Sequence, residues 1–211
     1  MNRLIDQIMG IRGSPVKQEV ESRLEGFRSF DKRPAEDWFS ELCFCILTAN
    51  SRAITALNIQ EELGHNGFCG YPHRDLSQAI KRHKHRFHNT KAQFIIDARC
   101  HLDIKQKMQQ MVREKGEHEA REWLVKNIKG IGYKEASHFL RNVGYNNLAI
   151  LDRHILGLLH DDGMIDRPKS LTGRDYLNIE EKFISLADEA NMSPAELDMY
   201  MWYMKTGEVL K

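Results

Sequence analysis

The chain of 211 residues has only four cysteines, Cys43, Cys45, Cys69 and Cys100, and none of them forms a C-x-x-C pair. Ten histidines show no metal-ligand motif, which weighs against a metal-dependent enzyme, and no metal or cofactor is expected. An excess of one charge is also missing. Basic and acidic residues number 31 and 30, for a net charge of +1. Overall charge therefore does not announce nucleic acid, and any DNA-binding face must come from segregated charge. No apolar run is long enough to span a bilayer, and no stretch reads as a signal peptide. No membrane partner is expected, and the free thiols suit a reducing cytoplasm. No alternating strand pattern, internal repeat or low-complexity tail is present.

What is there is helical. Trp38, Leu42, Cys45 and Ile46 lay an apolar stripe along one helix, with Ala49 a turn further on. Cys43 and Cys45 lie in that stretch and read as core thiols. The periodicity predicts further helices over 97–111, 120–128, 133–143, 153–160, 176–190 and 195–205, about ten in all, in an all-α fold. Ser193, Pro194 and Glu196 make a good helix start. The glycines of 64–72 read as a loop, and 164–174 as a polar connection. Such a length suits one domain or two intimate ones.

One segment concentrates chemical signal. Gly130-Ile131-Gly132 is followed by Lys134, and an apolar run, Leu148 to Leu151, closes on Asp152-Arg153. Glycines separated by one apolar residue make a tight hairpin that a ligand can approach closely. Amides at the start of the next helix form a phosphate cradle. A lysine in the first turn sits at the positive end of the helix dipole, which favours a free amine. Read singly, Lys134 is a solvated helix lysine and Asp152 the N-cap of the helix after it. In order, eighteen residues apart, they suggest amine chemistry on a nucleic-acid sugar. A second basic segment contains Lys81, Arg82, Lys84, Arg86 and Lys91, with His83, His85 and His88 among them. It reads as a DNA-backbone face or a solvated loop.

These residues resemble the helix-hairpin-helix DNA glycosylase superfamily, of which endonuclease III is a member. Within it the chain is similar to the archaeal-type 8-oxoguanine DNA glycosylase/AP lyases. The resemblance runs from about Trp38 onward, through Phe44-Cys45-Ile46-Leu47-Thr48-Ala49-Asn50, Arg86-Phe87, the stretch from Gly130 to Arg141, and Gly207-Glu208-Val209-Leu210-Lys211. It implies two helical subdomains with the active-site cleft between them. They are expected at roughly 1–45 plus 150–211 and 46–149, with the helix-hairpin-helix near 120–143. Several superfamily members carry a C-terminal iron–sulfur loop of four cysteines, which this sequence lacks.

The resemblance also assigns parts. A base excised from duplex DNA must be flipped out and its place filled. Lys134 is expected to attack the sugar, with Asp152 assisting. Asn50 is the wedge, beside Arg52. Gly130, Gly132 and Arg153 hold the DNA backbone. Phe87 and Trp202 flank the flipped base. Lys211 helps to tell 8-oxoguanine from guanine, and a terminal carboxylate there would accept a hydrogen bond from the N7–H that guanine lacks. The partner implied is double-stranded DNA containing 8-oxoguanine, met by a monomer. Two alternatives remain open: a sister enzyme for oxidised pyrimidines or abasic sites, and a non-catalytic helix-hairpin-helix DNA-binding module.

Overall fold

A computed structural model describes residues 3–168, 170–209 and 211. In chain order its α-helices are α1 (Arg3–Arg12), α2 (Val16–Arg28), α3 (Ala35–Thr48), α4 (Ala53–Gly70), α5 (His73–Arg82), α6 (His88–Ala98), α7 (Ile104–Lys115), α8 (Glu117–Asn127), α9 (Tyr133–Asn142), α10 (Arg153–Asp161), α11 (Gly173–Glu189) and α12 (Pro194–Thr206). Short 3-10 turns fill Ser29–Lys32 and Arg99–His101. The all-α expectation holds, and no strand occurs among the described residues.

Two local expectations are corrected. The glycines after Leu63 do not make a loop. The chain kinks at Gly64 (φ 52°) and resumes as helix to Gly70, because one left-handed glycine redirects a helix without ending it. The helix expected over 97–111 is interrupted. α6 ends at Ala98, and α7 starts only at Ile104, behind Asp103.

The chain divides into two compact units, Met1–Asp31 with Leu140–Lys211, and Lys32–Phe139. The boundaries expected near 45 and 149 fall instead at 31/32 and 139/140, the second inside α9. The reason is packing. α3 lies against α4, α6 and α7, so all of it belongs to the middle unit. Residues after Leu140 are tied to the terminal unit, where Gly144 lies close against the backbone of Phe27 and Ala149 is hydrogen-bonded to Tyr176 and Glu180 of α11.

In the terminal unit α12 packs against α1, α2, α10 and α11. Leu197, Met199, Tyr200 and Met201 are all buried, as a helix with neighbours on several sides requires. Ser193 caps it as expected, accepting from the Glu196 amide at 3.2 Å. A buried ion pair crosses this core: Arg141 Nη1 lies 2.6 Å from Asp198 Oδ2 and its guanidinium 5.0 Å from the Phe27 ring. In the middle unit α3 is the axis, with Trp38, Phe39, Leu42, Phe44, Ile46 and Leu47 fully buried. Cys43 and Cys45 are core thiols, and burial pushes the Cys43 thiol well up. Among the described residues, no helix is long and apolar enough to cross a membrane, and no cluster of three His, Cys, Asp or Glu is placed to hold a metal.

Candidate active site

The hairpin of the middle unit is built as its glycines require. α8 ends before Ile128, whose carbonyl accepts from Ile131. Gly130 then turns with φ +82°, and a Cβ there would lie 2.3 Å from Cδ2 of Phe94. Only glycine fits such a position. α8 and α9 are stapled by the Tyr133 hydroxyl, which donates to Glu122 (3.0 Å), and by buried Arg121, which donates to Ser137 (3.2 Å). Lys134 is the second residue of α9 and is partly buried. Its Nζ lies 3.6 Å from Oε1 of Glu135. The other Glu135 oxygen accepts from the Gly132 amide at 3.2 Å. Glu135 thus caps α9 and touches the candidate nucleophile. A phosphate reaching the Gly132 amide must displace that carboxylate. Sequence reasoning missed Glu135, although a glutamate three residues after a helix cap is a capping-box signal.

In the terminal unit, the run Leu148–Leu151 is buried and held from α11. The Tyr176 hydroxyl donates to the Ala149 carbonyl (2.7 Å) and accepts from the Leu151 amide (3.2 Å), while Glu180 accepts from the Ala149 amide (3.0 Å). This delivers Asp152 to the start of α10, where Oδ1 accepts from the amides of His154 (2.8 Å) and Ile155 (2.9 Å). Among the described residues both caps use Oδ1, so the second carboxylate oxygen stays outside the cap. Arg153 is exposed, and its Nε donates to His154 at 3.3 Å. The His154 ring stands edge-on to Trp202, with centroids 5.1 Å apart. The indole N–H of Trp202 is buried with no acceptor among the described residues. His154, next in the chain to Asp152 and Arg153, thus sets the start of α10 against Trp202 of α12, as the sequence could not say. Lys211 is partly exposed, two residues beyond Val209, whose carbonyl accepts from Arg23 of α2 (3.4 Å).

The remaining residues belong to the middle unit. Asn50 is exposed, with φ +60°, just after α3. Arg52 is exposed at the N-cap of α4. Phe87 is 36% exposed at the N-cap of α6, with the Arg86 guanidinium 4.4 Å from its ring centroid. The basic segment around it is neither a uniform DNA face nor a solvated loop. Arg82 and His83 both pair with Glu62. His85 and Lys91 turn inward and are buried, at 2% and 4% exposure. Burial lowers the Lys91 ammonium to about 8, with Glu135 opposing and Lys134 adding to the shift. Burial also lowers His85, against its bond to Leu47. Nothing in the sequence marked these two residues as internal.

The family model described as 8-oxoguanine DNA glycosylase matches residues 20–192. The chain belongs to the 8-oxoguanine DNA glycosylase family. It is 47% identical to the 8-oxoguanine DNA glycosylase/AP lyase of Methanocaldococcus jannaschii, over 99% of both chains. Identity to the protein of that name from Korarchaeum cryptofilum is 41%, over 99% of this chain and 98% of that one. Among solved structures, the M. jannaschii 8-oxoguanine glycosylase/lyase in complex with a 15mer DNA containing 8-oxoguanine superposes with a TM-score of 0.95, at 45% identity over 99% of each chain. The Thermotoga maritima 8-oxoguanine DNA glycosylase gives 0.91 at 38% identity, over 99% of this chain and 98% of that one. The all-helical fold is thus that of the 8-oxoguanine DNA glycosylases.

Proposed function

We propose that this chain is a bifunctional DNA repair enzyme that excises 8-oxoguanine from double-stranded DNA and cuts the strand at the resulting site. The observation that carries this reading is likeness over 99% of both chains to an 8-oxoguanine DNA glycosylase/AP lyase, in a chain that also keeps a lysine directly after its glycine hairpin. Lys134 Nζ, as the free amine, attacks C1′. The glycosidic bond breaks, and the base leaves with the bonding pair and takes up a proton. The Glu135 carboxylate, 3.6 Å from Nζ, is an acceptor for the proton the lysine must lose. The sugar ring opens to a Schiff base, loss of a C2′ proton follows, and the 3′ phosphate is expelled. Asp152, through its uncapped oxygen, stabilises positive charge developing on the sugar. Phe87, Trp202 and Lys211 contact the extruded base. Asn50 fills the gap it leaves. Arg52, Arg153 and the hairpin amides of Gly130 and Gly132 hold the backbone. The enzyme acts as a monomer in the cytoplasm.

The test is borohydride trapping on a duplex with a single 8-oxoguanine opposite cytosine, beside one with thymine glycol. The expected result is a covalent protein–DNA adduct and a strand cut on the first duplex. No adduct on it, or preference for thymine glycol, would overturn the proposal.

A further inference from the structure

A helix leaves its last carbonyls without intrahelical partners, and at a buried end each must be satisfied. At the C-terminus of α3 the accounting is complete. The Cys45 carbonyl accepts from the Thr48 hydroxyl (2.9 Å), and that of Thr48 from the Ser51 amide (3.1 Å). Between them, the Ile46 carbonyl accepts from Lys91 Nζ at 2.6 Å, and the Leu47 carbonyl from His85 Nε2 at 3.0 Å. The two central bonds come from outside the helix. Asn50 follows directly, held at φ +60°.

The same two residues also hold Phe87. Its amide donates to His85 Nδ1 at 3.2 Å, and its carbonyl accepts from the Lys91 amide at 2.9 Å. Both backbone groups of Phe87 are therefore taken by the residues that close α3. The partners settle the proton on His85. An amide can only donate, so Nδ1 is bare. A carbonyl can only accept, so Nε2 carries the hydrogen. The ring is neutral and fully used. The Lys91 ammonium lies at the negative end of α3, where the dipole favours a cation.

We infer that His85 and Lys91 are positioning residues that rivet the Asn50 turn to Phe87, so that wedge and stacking ring are presented to DNA as one piece. This rests on the proposed function, which gives Asn50 and Phe87 those tasks. Neither rivet touches substrate. Their effect falls on base extrusion and capture. For His85 it spares the amine chemistry of Lys134 at a site where no base remains, whereas Lys91 also feels the charges of Lys134 and Glu135.

The experiment uses the full chain with His85→Ala, His85→Gln and Lys91→Met. Glutamine keeps an N–H that reaches Leu47. Three quantities are read: single-turnover excision of 8-oxoguanine opposite cytosine, fluorescence of 2-aminopurine beside the lesion as a report of extrusion, and borohydride trapping on a ready-made abasic duplex. His85→Ala and Lys91→Met should lose excision by roughly 10- to 100-fold, with a smaller 2-aminopurine change, while trapping by His85→Ala stays within about threefold. His85→Gln should recover most of the loss. If the alanine variant does not fold, the partial loss of excision in His85→Gln, with trapping kept, decides. Equal losses of excision and trapping in a folded His85 variant would mean a merely structural role and overturn the inference. So would unchanged excision. A wild-type chain inert on 8-oxoguanine would instead overturn the functional reading, and the inference with it.

Discussion

At the N-terminus of α10 a single residue, Asp152, caps the helix that follows it, through amides two and three positions on. At the C-terminus of α3 the open carbonyls are closed by side chains 38 and 45 residues further along the chain. The first arrangement can form in a short fragment. The second exists only once α3, the segment before α6 and α6 itself have met. A local cap places one residue, whereas a remote cap makes the position of one element depend on another. On the proposed function, each terminus presents part of the machinery: Asp152 in one case, Asn50 and Phe87 in the other.

The largest expected effect sets the scale for both. Lys134→Gln should reduce excision and trapping by more than about a thousandfold, as loss of a nucleophile does, with the hairpin and caps intact. An adduct formed at the wild-type level would remove Lys134 from the mechanism. Asp152 comes next, because two substitutions separate its duties. Asparagine caps as well as aspartate, so Asp152→Asn should keep its melting temperature yet lose excision by roughly 100- to 1000-fold. Asp152→Ala should lose about 1 kcal/mol of stability besides. Excision within about twofold of wild type in the asparagine variant would reduce Asp152 to a cap, since losing one group that stabilises transition-state charge costs about 100- to 1000-fold.

The remote cap should cost more when removed than the local one. His85→Ala leaves the buried Leu47 carbonyl without its partner, at about 1–3 kcal/mol, and also frees the half-buried Phe87 amide. Urea unfolding of this variant against Asp152→Ala checks the order, and a smaller loss for His85→Ala would reverse the comparison. The smallest effect is a pH slope. His85 is lowered by burial above all, with Lys91 and His88 adding to the shift and the Leu47 bond opposing it. The unfolded histidine therefore binds a proton that the folded one refuses, and stability falls as pH drops below about 6.5. His101 is lowered too, by burial and Lys107. The slope lost in His85→Gln isolates the His85 share, and an unchanged slope would show that His85 does not titrate with unfolding.

The same contrast explains what was legible in the sequence. The Asp152 cap, the Ser193 cap, the apolar stripe of α3 and the glycine hairpin are local patterns, and each stands where residue order put it. The kink at Gly64 and the break before Ile104 were missed because helix and turn differ there by one or two residues' dihedrals. His85 and Lys91 look like surface residues because their neighbours are polar. Their partners are carbonyls, which carry no side-chain signature. Glu135 was legible as a capping pattern, but its approach to Lys134 needed coordinates. The juxtaposition of His154 with Trp202 joins α10 to α12, and no spacing rule links them.

Gly130 carries a last consequence, one of handedness. Two separate faults await any L residue there: the backbone angle of +82° and the Phe94 ring 2.3 Å from the Cβ. Trimming Phe94 to alanine would relieve the second and leave the first. A D-amino acid avoids the first fault, since it prefers positive φ, and its Cβ takes the place of the other Cα hydrogen, not the one aimed at Phe94. The hairpin before Lys134 is thus a place where this chain is built for the mirror-image residue, and glycine is the one ribosomal amino acid that can stand in for it.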